Sequence, residues 1–228
     1  MIVFDNVTLR YHYDEYDLLK GVSFSLTEGV NTVLADTQSG KTSICKLLTK
    51  QVSPTSGLIT VNGADICSIT NANLDILYLS RNPTFFQNRS MLYNIAYPLR
   101  VRKVPKQVRN QIAQEVATKL HLDNIQRKVK SLDSGQRQLL ALARGLTVKR
   151  QTVLFDDFFN LDDGLQQIQQ TLALFEGANC VLLTSESDLA LGNVVVLDGG
   201  KVVYQGDASD AKQVVSKLGW LTHNLRSI

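Results

Sequence analysis

The run Ser39-Gly40-Lys41-Thr42-Ser43 constrains this chain more than any other feature, because it joins an apolar strand-like stretch, Asn31 to Leu34, to a helix-like one, roughly Thr42 to Lys50. A strand that passes through a small-residue loop into a helix presents successive backbone N–H groups at the helix start, where they can surround an anion. In such a loop Lys41 reaches the terminal phosphates of a nucleotide and the Thr42 hydroxyl binds Mg²⁺. The usual pattern of the loop has Gly at the position held here by Ala35, and often again at Gln38. Ala35 adds only a methyl group and is tolerable at negative φ, whereas Gln38 resists a positive one.

A second acidic site follows the apolar run Val153-Leu154-Phe155, which ends in Asp156-Asp157 as a Walker B strand does. Mg²⁺ takes hard oxygen ligands and is commonly held by a carboxylate together with phosphates. Thr42 and Asp156 converging at strand ends meet that need, with Asp156 holding the ion through water.

The remaining pattern gives the architecture. Ile2 to Phe4 and Val22 to Leu26 read as strands, Gly57 to Val61 with Asn62-Gly63 as a hairpin arm, and Ile76 to Leu79 as a further strand. From Met91 to about Arg144 the pattern is helical, with apolar residues at Ile112, Val116, Leu120 and Leu122. Thr152 to Phe155 and Val181 to Thr184 are continuous apolar runs, as expected for parallel strands buried on both faces. A helix from Leu165 to Phe175 separates them. Val194 to Leu197 and Lys201 to Tyr204 form a closing hairpin around Gly199-Gly200, followed by a short helix at Ala211 to Lys217.

Bulk properties exclude some functions. A formal net charge of +3 on 228 residues gives no whole-molecule field that points to nucleic acid. The start has no basic region followed by an apolar run, and no stretch approaches the ~18 uncharged apolar residues of a membrane span, so a cytosolic chain is expected. Cys45, Cys67 and Cys180 lack zinc or disulfide spacing and are read as buried thiols. The basic run Arg100, Arg102, Lys103, Lys106 and Arg109 reads as a solvated helix face. His121 and His223 have no acidic or cysteine neighbours at ligand spacing.

Leu132-Asp133-Ser134-Gly135-Gln136, followed by Gln138 and Ala143-Arg144-Gly145-Leu146, resembles the LSGGQ signature loop and helix of ATP-binding cassettes. The resemblance runs to about Gly206. It implies a P-loop NTPase-type, mostly parallel α/β sheet with an N-terminal antiparallel β subdomain and an inserted helical subdomain at about 85–150, all in one nucleotide-binding domain. It implies ATP and Mg²⁺ as ligands, with phosphate contacts from Gln38, Ser39, Gly40, Lys41, Thr42 and Ser43, and metal contacts from Thr42 and Asp156. Tyr11 falls where the family stacks an aromatic ring on adenine, with Tyr13 and Tyr16 as alternatives. Phe85-Phe86-Gln87-Asn88-Arg89-Ser90 looks like the segment that receives a transporter's coupling helix. The implied partners are a transmembrane permease and a second ATP-binding subunit, in a homodimer or a heterodimer, at the inner face of the cell membrane.

Several positions depart from the family pattern. Asp157 replaces the Glu that usually acts as catalytic base, retracting the carboxylate by about 1.5 Å. Ser185 follows Thr184 where the switch histidine usually stands, and Arg81 replaces a Mg²⁺-sensing glutamine with a fixed positive charge that cannot ligate a cation. Asp133 replaces a serine that donates to the partner's γ-phosphate and Ser134 replaces a glycine; with Gly135 and Gln136 they complete the signature loop. Asp162 and Asp163 both match the loop acid after Walker B. These departures predict ATP binding with slow hydrolysis, or else a nucleotide-gated regulatory module in which hydrolysis hardly matters.

Overall fold

The computed structural model describes residues 1–12, 15–36, 39–71, 73–160 and 164–220. They form two compact units, one built from Met1–Tyr78 and the described residues from Gln151 onward, the other from Leu79–Arg150.

The first unit holds two sheets. Strands β1 (Ile2–Leu9), β2 (Leu19–Leu26), β4 (Ser56–Val61) and β5 (Ala64–Asp65) form an antiparallel sheet in the order β2-β1-β4-β5. In β1 and β2 the apolar side chains mostly alternate with exposed ones, and Phe4 stacks on Phe24 with ring centroids 4.3 Å apart. The second sheet has the order β10-β9-β3-β8-β7-β6, using β3 (Val30–Ala35), β6 (Ile76–Ser80), β7 (Thr152–Asp156), β8 (Asn179–Thr184), β9 (Asn193–Asp198) and β10 (Lys201–Asp207). Strands β9, β3, β8 and β7 run parallel, and β10 turns back against β9. Every residue of β7 is buried. A strand covered on both faces needs apolar residues at consecutive positions, which Val153, Leu154 and Phe155 supply. Helices α1 (Lys41–Leu48), α5 (Gly164–Ala173) and α6 (Ala208–Leu218) complete this unit.

The second unit is helical, with α2 (Met91–Val101), α3 (Lys106–Lys119) and α4 (Ser134–Leu146). Its core joins Met91 and Ile95 of α2, Ala113 and Ala117 of α3, and Leu140 and Ala143 of α4. The residues of α3 that pack most deeply are thus two alanines, whereas the larger Val116 and Leu120 are only partly buried. The apolar period marks the helix correctly, but close approach to α2 and α4 selects the small residues for its innermost line.

Cys67 corrects one expectation. Cys45 and Cys180 are buried, but Cys67 is exposed, because Ile66 takes the inward position after β5 and sends its neighbour to solvent.

Candidate nucleotide-binding site

The site is assembled at the C-terminal ends of β3, β7 and β8, where parallel strands hand the chain to loops and helix starts. An open cleft of about 440 Å³ there is lined by Leu18, Asp36, Gly40, Lys41, Thr42, Ser43, Asp157 and Ser185. Five of these eight, Gly40 to Ser43 and Asp157, were singled out by motif, and Ser185 by its position after a strand-terminal threonine.

Gly40 caps α1 with φ 102°, a conformation costly for any residue with a Cβ, and an added Cβ would lie 2.7 Å from Leu19 Cδ2. No side chain caps α1 and no acid occupies its first turn, so the amides that open the helix remain available to an anion. Ala35 lies buried in β3 and is absent from the positive-φ positions, so its methyl group fits there. Gln38 lies outside the described residues, as do Tyr13, Asp162, Asp163 and His223. The Lys41 ammonium is almost buried and donates to the carbonyl oxygen of Ala35 at 2.7 Å.

Tyr11 stands beside this loop. Its hydroxyl shares a hydrogen bond with Ser43 Oγ at 3.0 Å, and Lys46 Nζ sits 5.3 Å from its ring centroid. The two contacts hold the ring against α1, and the ammonium adds a cation–π interaction of about 0.5–1 kcal/mol.

Asp156, at the end of β7, is 7% exposed, and its Oδ2 accepts from the Tyr78 hydroxyl at 2.7 Å. Its Oδ1 is buried without a hydrogen-bond partner. Burial raises the pKa of this carboxyl, and neighbouring Asp157 raises it further; Tyr78, Lys41 and the Thr42 hydroxyl act in the opposite sense. Thr42 thus bears on Asp156 while also lining the cleft, although it does not satisfy Oδ1. An orphaned buried carboxylate oxygen costs roughly 1–3 kcal/mol, a cost a cation would remove. Thr42 and Asp156 therefore fit a Mg²⁺ ion. Cys45 beneath them offers no competing soft ligand, since burial and the nearby Asp156 and Asp157 hold its thiol well above the usual range.

Asp157 is held in the left-handed backbone region at φ 44°, and its N–H donates to Leu183 O at 2.9 Å. The backbone that carries this acid is therefore tied to β8. Ser185 follows Thr184, whose Oγ1 accepts from the N–H of Glu186 at 3.1 Å and so sets the turn after β8. A serine in this turn has neither the length nor the charge of a histidine.

The signature loop lies in the helical unit and has a structural role of its own. Asp133 is the N-cap of α4: its Oδ1 accepts from the Gln136 N–H at 2.8 Å, while Gln136 Oε1 faces the Asp133 N–H at 3.4 Å. This capping box engages the carboxylate with the helix start, and leaves Ser134 and Gly135 as the first residues of α4. Arg144, further along α4, donates to Thr84 O at 2.7 Å and lies over the Phe85 ring. Arg81 is exposed just after β6.

The same unit carries a second cleft of about 450 Å³, lined by Tyr93, Tyr97, Arg100, Lys106 and Arg109 among others. Arg100 donates to the Tyr93 hydroxyl at 2.8 Å and Arg109 to Val104 O at 3.1 Å. Phe86, 43% exposed, packs on Tyr93 and Tyr97. Arg100, Lys106 and Arg109 line this open cleft, and Arg100, Arg102, Lys103 and Lys106 are all exposed to solvent. From Ile76 to Gln114 the sequence has seven Lys and Arg and no Asp or Glu, leaving 17 basic and 21 acidic residues elsewhere. A net charge of +3 hides that segregation.

Comparison with known proteins decides the family. The family model described as ABC transporter matches residues 19–160, more than half of the chain. The chain belongs to the ABC transporter family. Within it, the chain is 31% identical to the molybdate/tungstate import ATP-binding protein WtpC of Pyrococcus horikoshii, over 87% of this chain and 60% of that protein. It is 30% identical to the Fe(3+) ions import ATP-binding protein FbpC of Mannheimia succiniciproducens, over 82% of this chain and 56% of that protein. The chain thus spans little more than half the length of these curated relatives. A bacterial Atm1-family ABC exporter solved with ATP bound shares the fold, with a TM-score of 0.77 and 23% identity over 93% of this chain and 40% of that one. The α/β fold of this ABC chain, with an antiparallel N-terminal sheet and a mostly parallel second sheet, agrees with the architecture expected from sequence. No helix among the described residues is long and apolar enough to cross a membrane.

Two features of the site had no sequence signal that singled them out. Tyr78 reads as one more apolar position of a strand, and its partnership with Asp156 arises only from the neighbouring positions of β6 and β7 in the sheet. Asp36 directly follows β3, and only the fold places it on the wall of the cleft.

Proposed function

We propose that this chain is an ATP-binding, energy-coupling subunit of an ABC transporter that binds Mg·ATP at the cleft over α1 and hydrolyses it slowly. The observation that carries this reading is the convergence of Gly40, Lys41, Thr42 and Asp157 on one cleft at the strand ends. The open amides of α1 and the Lys41 ammonium bind the phosphates, Tyr11 offers its ring to the base, and Thr42 and Asp156 hold the metal. When bound, Mg²⁺ neutralises phosphate charge and polarises the terminal phosphoryl group.

Slow turnover follows from the groups that remain. Asp157 is one bond shorter than the usual base and is carried on a backbone tied to Leu183. With about 1 Å of misplacement costing on the order of 10²-fold, water activation is weak. Ser185 supplies no imidazole to assist. Arg81, where the family has a glutamine, supplies a fixed positive charge and no metal ligand.

ATP closes the domain onto a second ATP-binding subunit, the same chain or another, so that the loop at Asp133 to Gln136 meets the partner's nucleotide. A membrane permease docks on the helical unit, where Phe86, Tyr93 and Tyr97 form an aromatic surface, and this places the chain at the inner face of the membrane. The named relatives are a molybdate/tungstate import protein in one case and an Fe(3+) ions import protein in another, so likeness to them selects no single cargo.

The test is to mix purified protein with Mg²⁺ and radiolabelled ATP, isolate the complex and identify the bound nucleotide, with Lys41→Ala as control. Retained intact ATP, lost in the control, supports the reading; absence of binding refutes it. The pinned backbone of Asp157 also favours a second reading, a nucleotide-gated regulatory module. Function in cells that survives Asp157→Asn but not Lys41→Ala selects that alternative.

A further inference from the structure

The helical unit carries a charge that the whole chain conceals. From Leu79 to Arg150 there are 15 Lys and Arg against 3 Asp and Glu, a net of +12, whereas the rest of the chain has 9 against 18, a net of −9. Self-repulsion on this scale opposes compactness and is relieved by an anionic partner. Part of the charge faces the cleft formed by α2 and α3, which Arg100, Lys106 and Arg109 line together with Tyr93 and Tyr97. Among the described residues no carboxylate pairs with any of these three cations.

Two of the cations are held in place from within. Arg100 donates to the Tyr93 hydroxyl at 2.8 Å and lies 5.6 Å from that ring's centroid, and Arg109 donates to Val104 O at 3.1 Å. A guanidinium has five N–H donors, so each keeps most of them for a partner. Apolar surface lies alongside: Phe86 packs on both tyrosines and is exposed, as are Val101 and Val108, the chain neighbours of Arg100 and Arg109.

The occupant must therefore supply both anionic and apolar groups. A free phosphate leaves the rings uncovered, and a flat lipid surface meets exposed Arg102 and Lys103, which lie outside the cleft, before it enters a recess. A turn of protein bearing carboxylates beside apolar side chains meets both needs. A carboxylate takes paired hydrogen bonds from a guanidinium, and an apolar helix face seats in a groove. The charge also discriminates, because cytoplasmic loops of membrane proteins ordinarily carry an excess of Lys and Arg, which this cleft repels.

We propose that the cleft between α2 and α3 docks an acidic, amphipathic segment of the permease, with its carboxylates on Arg100, Lys106 and Arg109 and its apolar side chains on Phe86, Tyr93 and Tyr97. The proposal rests on the reading that a permease docks on this unit. The three cations select the partner and speed its arrival, and the aromatic surface holds it once seated.

The test lets the cleft choose its ligand. Random peptides displayed on phage are selected on the purified full chain, and the enriched peptides are synthesised and titrated by fluorescence anisotropy into wild type and into the triple variant Arg100→Gln, Lys106→Gln, Arg109→Gln. The expected peptides are rich in Asp and Glu beside aromatic or aliphatic residues and bind more weakly as salt rises. The triple variant is expected to bind them about tenfold or more weakly while keeping wild-type thermal melting and Mg·ATP retention. Enriched peptides without acids, equal binding to the variant, or no enrichment at all overturns the proposal. Without such peptides, binding to phosphatidylglycerol vesicles that the variant loses assigns the cleft to lipid, and salt-sensitive self-association that the variant loses assigns it to a second copy; each likewise overturns it. If the triple variant does not fold, Lys106→Glu reverses one exposed charge at the start of α3, where an acid suits the helix end, and the same outcomes apply to it. Acidic peptides bound by a chain that retains no ATP refute the nucleotide reading alone, whereas ATP retention without such peptides refutes this proposal alone.

Discussion

Asp157→Glu tests directly the proposal that a short base makes hydrolysis slow. The side chain gains one carbon–carbon bond, about 1.5 Å, while the 2.9 Å hydrogen bond from the residue 157 N–H to Leu183 O holds the backbone in place. The carboxylate must therefore move toward the cleft. A correction of about 1 Å is worth on the order of 10²-fold in rate, or about 2.7 kcal/mol of barrier at roughly 1.4 kcal/mol per decade. The substitution also has a cost, because residue 157 sits at φ 44°, where Asp is better tolerated than Glu. A penalty of up to about 1 kcal/mol lowers the melting temperature by roughly 2–4 °C in a chain of this size. Single-turnover hydrolysis with protein in excess is the assay, since it reports chemistry without product release. A rise of about 10²-fold at unchanged ATP affinity is expected. A rate within about threefold of wild type, in a variant that still folds and binds ATP, is far below that magnitude and shows that base placement does not limit the reaction.

Three further outcomes follow from the same geometry. Asp156 has a raised pKa, so the metal-free protein binds its proton more tightly than the unfolded chain does, and stability falls as pH rises from the unfolded value through the folded one; Asp156→Asn should remove this loss, raising the melting temperature of nucleotide-free protein at neutral pH. Asp133→Ala should lose the capping box of α4 at a cost of about 1 kcal/mol, read by denaturant melts, whereas Asp133→Ser should keep the cap. In native protein a thiol reagent should modify exposed Cys67 quickly and the buried Cys45 and Cys180 only after denaturation, the Cys180 thiol being pushed up to about 11 by burial.

Those features that depend on local pattern were legible in the sequence. Continuous apolar runs marked β7 and β8, because strands buried on both faces leave little room for polar positions, whereas β3 buries Asn31 and Thr32 as well. The phosphate loop was recognisable because Gly40 meets a backbone demand and Lys41 and Thr42 meet chemical ones at adjacent positions. Pairings across the sheet were less legible. Tyr78 and Asp156 are 78 positions apart and meet only through the strand order. Asp133 was read for its effect on a distant phosphate, whereas its nearest partner is the N–H of Gln136, and a carboxylate at a helix start serves that need first. Cys67 was misplaced because apolar neighbours in sequence do not fix which side of a turn a residue occupies. Charge segregation escaped the whole-chain sum because the acid-free stretch from Ile76 to Gln114 is balanced elsewhere.

The hydrogen bond from Lys41 to the carbonyl of Ala35 bears on nucleotide exchange. A buried ammonium without an acceptor would penalise the empty protein and tie release of one nucleotide to arrival of the next. Here the chain keeps an acceptor of its own within 2.7 Å, so phosphate exchanges one partner of the lysine for another. An anion at the loop therefore replaces this contact and does not add to it, and what the lysine contributes to binding is the difference between two acceptors.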